Sequence, residues 1–169
     1  MKQLWAPWRM EYILNEIDKN ENCIFCDFPA QNEDKKYMIV YRSSKSYVIL
    51  NKYPYNNGHL LVVPYQHTGD LLELDDTVLL DLQQTIRKSI RVMKNILYPH
   101  GFNIGLNMGR TAGAGIDEHI HYHIVPRWDG DTNFMPVIGG TKVVSESLEA
   151  SRKKMAAEFI KLFGNEEEK

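Results

Sequence analysis

The feature that most constrains the fold is a long amphipathic segment, residues 75–97, lying between two groups of strand-like segments. Its apolar residues recur at spacings of three and four, which predicts a helix. These residues are Val78, Leu79, Leu82, Ile86, Ile90, Met93 and Leu97. Asp75 is the predicted N-cap, and Pro99-His100-Gly101 is expected to end the helix. At about 1.5 Å per residue the helix would be roughly 35 Å long, enough to cross a whole sheet.

The segments around this helix are rich in β-branched and aromatic residues and are separated by turn-forming residues, which predicts strands. The predicted strands are 39–41, 47–51 and 59–64 before the helix, and 102–108 and 118–126 after it. A second amphipathic helix is predicted over residues 145–163, with Leu148, Met155, Phe159, Ile160 and Phe163 available for packing. This order predicts an α+β fold, with an antiparallel sheet of about five strands and helices mainly on one side.

The length of 169 residues favours a single domain spanning 1–169. Residues 1–22 combine Trp5, Trp8 and Tyr12 with charged side chains, and we expect an ordered N-terminal arm because disordered tails lack such aromatic residues.

Charge and hydropathy exclude several classes of protein. The net charge is −2, from 20 basic and 22 acidic residues, and no field of one sign indicates a nucleic-acid or membrane surface as partner. The sequence has no apolar run long enough to span a bilayer, and its first residues do not resemble a signal peptide. Only two cysteines occur, so we expect a cytoplasmic, reducing location.

Three histidines alternate with apolar residues in His119-Ile-His-Tyr-His-Ile-Val125. Side chains alternate between the two faces of a strand, so the three imidazoles are expected on one face and the apolar residues on the other. Histidine is a nucleophile, proton carrier and metal ligand near neutral pH. This face is therefore the predicted centre of the chemistry.

A glycine-rich segment, residues 107–115, leads into these histidines. Glycines allow backbone N–H groups to converge on a phosphate, but the segment does not have the Walker pattern. A phosphate-binding loop and a loop of purely structural importance both remain open, and the adjacent histidines favour the first.

Cys23 and Cys26 are separated by two residues. Three interpretations remain open: two thiols packed in the interior, a redox pair, or half of a zinc site. The redox interpretation lacks the expected strand-turn-helix context. A zinc site needs two further ligands, which His67 and one histidine of the alternating run could supply in a tetrahedral arrangement.

These motifs together resemble the histidine triad family, and within it a bacterial branch described as diadenosine tetraphosphate phosphorylase-like. The run His119–Val125 matches the motif of the family, in which three histidines alternate with apolar residues. Asn51 and His59, together with Pro64-Tyr-Gln-His67, lie where relatives carry functional residues. The stretches 4–12 and 125–136 resemble the bacterial branch.

The resemblance implies that the middle histidine, His121, attacks the α-phosphate of a nucleotide and forms a nucleotidyl-histidine. His123 would contact phosphate oxygens or the leaving group, and His59 would orient His121 or lie beside it. Asn107 and the amides around Gly113 and Gly115 would stabilise charge on the phosphoryl oxygens.

Further implications of the resemblance concern the ribose and the metal. Asn51 would bind a ribose hydroxyl. Structural Zn²⁺ would be bound by four residues, Cys23, Cys26, His67 and His119. Many relatives carry polar side chains three and four residues before the triad, where this chain has Ile116 and Gly115, so leaving-group assistance would have to come from backbone amides or from Asp117, Glu118 or Arg127.

The resemblance predicts cleavage of an adenine-containing dinucleoside polyphosphate of the diadenosine tetraphosphate type, by phosphorolysis or hydrolysis. Two alternatives stay open: a nucleoside phosphoramidate or aminoacyl-adenylate hydrolase, and a nucleotide-binding interaction protein with low turnover. Relatives of this size pair across the long helix and a sheet edge, so a homodimer is expected.

Overall fold

A computed structural model describes residues 23–131 and 146–164 of the chain. The elements are α1 (Ile24–Ala30), β1 (Ile39–Arg42), β2 (Ser46–Leu50), β3 (Leu60–Pro64), α2 (Asp76–Leu97), β4 (Gly101–Leu106), β5 (Tyr122–Arg127) and α3 (Leu148–Phe163). Two single 3₁₀ turns, Leu71–Glu73 and Arg110–Ala112, lie in the connections. The predicted arm with Trp5, Trp8 and Tyr12, and residue 145 of the predicted second helix, lie outside the described residues.

The strands form one five-stranded antiparallel sheet in the order β1-β2-β3-β5-β4. The predicted α+β fold is therefore confirmed. Strand β5 follows β4 along the chain but lies between β3 and β4, so it occupies the interior of the sheet. This position places His123 beside Leu61 of β3 and brings the loop before β3 next to the histidines.

The two faces of the sheet have separate apolar cores. Val48, Val62 and Ile124 point to the face covered by α2 and α3. Tyr47 and Val63 point to the opposite face, where Phe25 of α1 covers them. The expectation of helices mainly on one side is correct for the two long helices, but sequence reasoning did not predict α1.

The long helix α2 has the predicted bounds. Asp75 occupies the N-cap position, although its side chain makes no capping hydrogen bond, and the helix ends at Tyr98 in the left-handed region with φ 49°. The predicted apolar residues of α2 are all buried or half-buried against the sheet. In α3, Met155 and Phe159 are fully buried, while Ile160, which was predicted to pack, is 54% exposed.

A buried carboxylate ties α2 to the turn between β1 and β2. Asp81 accepts hydrogen bonds from the hydroxyls of Ser43 (2.7 Å), Ser44 (2.9 Å) and Ser46 (2.6 Å). Three hydrogen bonds to one carboxylate thus fix the turn between β1 and β2 against the side of α2.

Strand β5 starts later than the sequence predicts, at Tyr122 rather than at residue 118. Pro64, at the end of β3, has no N–H with which to continue the ladder. The backbone of Ile120 instead donates to the carbonyl of Thr68, at 2.7 Å. The alternation of faces persists outside the ladder, since Ile120 packs in the core beneath α2 while His119 and His121 contact Phe25 on the other face.

Among the described helices, none combines the length and apolar character needed to cross a membrane.

Candidate active site and metal centre

The three alternating histidines line one face of the segment that leads into β5, and each has a different set of partners. The rings of His121 and His123 lie edge to face, 5.0 Å apart. Phe25 packs against His119 at 5.6 Å and against His121 at 4.9 Å. Because the partners differ, His121 carries its proton on a different ring nitrogen from His119 and His123, and the three imidazoles have different chemical capacities.

The middle histidine, His121, has a hydrogen bond that fixes which ring nitrogen carries the proton. Its Nδ1 lies 2.8 Å from the carbonyl oxygen of His119, and a carbonyl only accepts, so Nδ1 carries the proton. In the neutral ring the lone pair is then on Nε2. Burial lowers the pKa of His121, although the hydrogen bond to His119 opposes this effect. Burial therefore favours the neutral ring, which is the form that attacks phosphorus.

The third histidine, His123, is oriented by His59. The Nε2 atom of His59 and the Nδ1 atom of His123 are 2.9 Å apart. The backbone N–H of Tyr55 donates to His59 Nδ1 at 3.1 Å, so in the neutral ring the proton of His59 lies on Nε2. His59 then donates to His123 Nδ1, and the proton of neutral His123 lies on Nε2.

The structure places His59 beside the third histidine. The resemblance implied that His59 would orient His121 or lie beside it, and its hydrogen bond in the structure is to His123, because β3 pairs with β5 in a register that sets Leu60 opposite Ile124. The ring of Tyr55 covers this pair and lies nearly parallel to His123, with centroids 5.6 Å apart and an interplanar angle of 14°. Tyr55 was missed by sequence reasoning, since no motif distinguishes it from the neighbouring loop residues.

The glycine-rich segment is a folded turn in this structure. The N–H of Gly113 donates to the carbonyl of Arg110 at 2.9 Å, and Asn107 donates to the carbonyl of Gly113 at 3.4 Å. The Gly113 amide is thus engaged at the end of a 3₁₀ turn, and its contact with a phosphoryl oxygen stays a prediction. Gly115 lies after this turn and is exposed.

The charged residues near the triad are paired with one another. Arg127 binds Asp131 through two nitrogens, at 2.6 and 2.9 Å, and Arg110 binds Asp117 at 2.9 Å. Ile116, at the position where many relatives carry a polar side chain, packs against the core beneath α1. Of the three charged residues that were candidates for leaving-group assistance, Asp117 and Arg127 are therefore in ion pairs. Glu118 belongs to neither of these two pairs.

Four side chains converge beside the first histidine: Cys23, Cys26, His67 and His119, whose ligand atoms all lie within 4.8 Å of one another. The Nδ1 atom of His119 is 3.3 Å from Cys23 Sγ, 3.6 Å from Cys26 Sγ and 3.3 Å from His67 Nδ1. Cys26 Sγ and His67 Nδ1 are 3.4 Å apart. A tetrahedral zinc site has edges of about 3.3 Å between two nitrogens and about 3.6 Å between nitrogen and sulfur.

Hydrogen bonding alone does not explain this cluster. His119 Nε2 donates to the carbonyl of Pro64 at 2.9 Å, so the lone pair of the neutral ring is on Nδ1. That single lone pair faces two sulfurs and a nitrogen. Burial lowers the pKa of His119 to about 4, so the ring is neutral at physiological pH. The cluster has the donor set and the spacing of a metal site, and Cys23, Cys26, His67 and His119 lie together as predicted.

One residue, His119, links the four-residue Cys/His cluster to the middle histidine of the triad. The imidazole of His119 faces the cluster, while its carbonyl accepts the hydrogen bond that sets the tautomer of His121. Phe25, between the two cysteines, packs on both rings, and its own carbonyl accepts from the buried Tyr47 hydroxyl at 2.8 Å. The sequence signal for Phe25 is its place inside the Cys-x-x-Cys motif, which sequence reasoning did not use.

Comparison with known proteins gives a consistent result. The family model for the HIT domain matches residues 32–130. A Mycobacterium tuberculosis protein named AP-4-A phosphorylase is 42% identical over 168 residues, covering 95% of this chain and 86% of the relative. This similarity extends well beyond the triad.

Two solved structures are similar in fold. A Zn-bound histidine triad family protein from Mycobacterium smegmatis is 25% identical, with a TM-score of 0.67 covering 83% of this chain and 95% of that one. A hypothetical histidine triad nucleotide-binding protein from Sulfolobus tokodaii is 28% identical, with a TM-score of 0.68 covering 85% and 98%.

Proposed function

Because the chain belongs to the histidine triad (HIT) family, we propose that it is an enzyme that cleaves dinucleoside polyphosphates of the diadenosine tetraphosphate type at an α-phosphate. The observation that carries the proposal is the hydrogen bond from His121 Nδ1 to the carbonyl of His119, which leaves Nε2 as the attacking atom. The name of the Mycobacterium tuberculosis relative supports phosphorolysis as the overall reaction.

In the first step, Nε2 of His121 attacks the α-phosphorus. An N–P bond forms and the bond from phosphorus to the bridging oxygen breaks, so that ATP leaves from diadenosine tetraphosphate. A neutral imidazole is both a competent nucleophile and a good leaving group, so it divides one difficult displacement into two easier ones. The intermediate is an adenylylated His121.

In the second step, an oxygen of inorganic phosphate attacks the same phosphorus and releases His121, giving ADP. With water as the nucleophile the product is AMP. His123 holds its proton on Nε2 because His59 donates to Nδ1, so in the first step it donates to the departing oxygen. This contact provides the leaving-group assistance that Gly115 and Ile116 do not offer through their side chains.

Negative charge develops on the non-bridging oxygens of the phosphoryl group in the transition state. Hydrogen-bond donors placed beside these oxygens stabilise that charge. We assign this role to the Asn107 carboxamide and the Gly115 N–H, next to the triad. Asn107 exchanges its long contact with the Gly113 carbonyl, 3.4 Å, for the substrate. Adenine is the preferred base in this proposal.

The metal proposed for the four-residue cluster is zinc. Cys23, Cys26, His67 and His119 fit its tetrahedral geometry and fill all four positions, so the ion would link α1 to the triad and serve as a structural site. When bound, the ion would supply a rigid cross-link between these segments. Its coordination sphere would have no open position for water or substrate. Free thiols at this cluster fit a reducing compartment, so we propose a cytoplasmic location.

A homodimer is proposed from the sheet edge. Strand β4 ends the strand order, and Asn103, Ile104 and Gly105 are exposed along it. An edge strand with unpaired backbone groups is a template for pairing with a second copy. Light scattering of the purified protein is expected to give about 39 kDa, twice the chain mass of 19.6 kDa.

The direct test is incubation with diadenosine tetraphosphate, with and without inorganic phosphate, and separation of the nucleotides. ADP and ATP in equal amounts, formed only when phosphate is present, are the expected result. AMP and ATP formed equally well without phosphate would show hydrolysis instead. No cleavage, together with turnover of adenosine phosphoramidate, would refute the proposal in favour of the phosphoramidase alternative.

A further inference from the structure

One peptide unit just before β5 takes part in two hydrogen bonds. This linking peptide joins His119 to Ile120 and lies outside the ladder of β5, which starts at Tyr122. Its N–H donates to the carbonyl of Thr68 at 2.7 Å, and its C=O accepts from Nδ1 of His121 at 2.8 Å. The same planar unit therefore connects the loop after β3 to the middle histidine.

The planarity of the linking peptide couples its two hydrogen bonds. In a trans peptide unit the C=O and the N–H point in opposite directions, and the described residues contain no cis peptide bond. The side chains of His119 and Ile120 are anchored separately, by the carbonyl of Pro64 and by the core beneath α2. These anchors hold the two Cα atoms, but the plane between them can still rotate about its flanking ψ and φ bonds. The hydrogen bond to Thr68 selects one orientation of that plane.

The loop that carries the Thr68 carbonyl is folded around the side chain of the same residue. The buried hydroxyl of Thr68 accepts from the backbone N–H of Asp70 at 3.0 Å and donates to the Glu73 carboxylate. A threonine hydroxyl that bonds the backbone two residues further on stabilises a tight turn. The Thr68 side chain thus holds its own carbonyl in place.

Gly69 allows this loop to approach the segment before the triad. A Cβ at this position would lie 2.5 Å from the carbonyl oxygen of Asp117 and 3.4 Å from Cα of Glu118. Both are backbone atoms, so neither can rotate away as the end of a flexible side chain can. A side chain at position 69 would therefore push the two segments apart and lengthen the hydrogen bond of the linking peptide to Thr68.

We propose that Thr68 and Gly69 are positioning residues for catalysis: through the linking peptide they orient the carbonyl that holds the proton of His121 on Nδ1. The proposal rests on the proposed nucleotidyl transfer, in which Nε2 of His121 attacks phosphorus. If the linking peptide rotates, the carbonyl of His119 leaves Nδ1, and the proton of the neutral ring is free to occupy either nitrogen. The loop after β3 therefore determines how often Nε2 presents its lone pair.

Gly69→Ala tests the approach of the two segments, and Gly101→Ala is the matched control because no atom lies within 4 Å of its ideal Cβ. Gly69→Ala is expected to lower kcat about 10-fold with less than about a twofold change in KM, as for one weakened hydrogen bond. Elemental analysis is expected to give the zinc content of the wild type for both variants. An unchanged kcat, or a loss of kcat in proportion to a loss of zinc, would overturn the proposal, the latter by assigning the effect to His67.

Substitutions of Thr68 provide a second comparison, which remains available if Gly69→Ala does not fold. Thr68→Val keeps the branched shape but loses the hydroxyl that folds the loop, whereas Thr68→Ser keeps the hydroxyl. Thr68→Val is expected to lower kcat about 3- to 10-fold, and Thr68→Ser is expected to stay within about twofold of the wild type. Equal losses in the two variants would show that packing alone matters and would overturn the proposal.

A spectroscopic test needs no turnover, so its outcome is independent of the proposed function. In the zinc-loaded, ligand-free full chain, ¹⁵N-labelled His121 is expected to show a protonated Nδ1 and an unprotonated Nε2, and the Ile120 amide is expected to exchange slowly with solvent. In Gly69→Ala this amide is expected to exchange at least about 10-fold faster, and the proton of His121 is expected to spread over both nitrogens. Retained protection of Ile120, or faster exchange with an unchanged His121, would refute the coupling. Joint changes in both signals would support it even if the wild type cleaved no dinucleotide, a result that would refute only the proposed function.

Discussion

Gly58 is the residue whose replacement tests most directly how the core supports the site. It precedes His59, has φ +75°, and lies against α2 and α3. A Cβ at this position would meet Leu97 Cδ1 at 2.6 Å and Met155 Cε at 3.1 Å. Gly58→Ala therefore imposes two separate costs, one in the backbone and one in packing.

The two costs have known magnitudes. Holding alanine at a positive φ costs about 1–2 kcal/mol. Forcing an extra methyl group into a packed core costs about 1–3 kcal/mol, and the half-buried Leu97 reduces this by rotating away. Alanine also lowers the conformational entropy of the unfolded chain, which stabilises the folded state by about 0.4–1 kcal/mol. We expect a net loss of about 2–4 kcal/mol in the free energy of unfolding.

Two other glycines provide matched controls. Gly130 also has a positive φ, +74°, but has no atom within 4 Å of its ideal Cβ, so Gly130→Ala reports the backbone cost alone, about 1 kcal/mol. Gly101 has neither a positive φ nor a close atom, so Gly101→Ala is expected to lie within about 0.5 kcal/mol of the wild type.

Urea unfolding followed by tryptophan fluorescence and circular dichroism gives the three free energies, and kcat is measured on the same samples. Gly58→Ala is also expected to lower kcat at 25 °C while most molecules are still folded, since it displaces the loop that holds His59. A loss of stability no larger than that of Gly130→Ala would refute the argument that contact with Leu97 and Met155 requires glycine here.

Three further predictions concern the nucleophile, the metal and the helix-to-sheet contact. His121→Ala is expected to lower turnover by about 10³-fold or more. The adenylylated intermediate is expected to be absent when the variant is analysed by mass spectrometry without acid treatment, while calorimetry still detects AMP binding. Retained turnover would contradict the mechanism. Cys23→Ser is expected to reduce zinc content, measured by elemental analysis, and to lower Tm by roughly 10 °C; full zinc occupancy in this variant would argue against a Cys23 ligand. Asp81→Ala leaves the buried Ser46 hydroxyl without its charged acceptor and is expected to cost about 2–3 kcal/mol in urea unfolding, whereas a loss below about 0.5 kcal/mol would show that the hydroxyls find other partners.

Local patterns were sufficient for the two long helices, the presence of five strands and the list of chemical groups. The apolar spacing in α2 and the alternation at His119–Val125 each depend only on the geometry of one helix or one strand, so they could be read along the chain. Resemblance then supplied the four candidate metal ligands, and Cys23, Cys26, His67 and His119 do lie together in space. The α1 helix was missed because its seven residues carry too short a pattern and include Pro29.

The partners of each histidine were decided by tertiary structure. Register between β3 and β5 sets His59 against His123, and this register depends on two strands that are separated along the chain by α2 and β4. The Gly113 amide is engaged by a turn that depends on left-handed backbone angles, which a glycine permits but does not require.

The sequence by itself determined which groups take part and which face they share, because alternation along an extended segment is a property of the covalent chain. Only the tertiary structure decided where each proton lies. The tautomers of His119, His121 and His123 follow from the carbonyl of Pro64, the carbonyl of His119 and the ring of His59, which are contacts made between segments or across a bend of the backbone. Three chemically identical imidazoles on one face thus acquire different partners: His119 faces the Cys/His cluster, His121 is held by a backbone carbonyl, and His123 is held by His59.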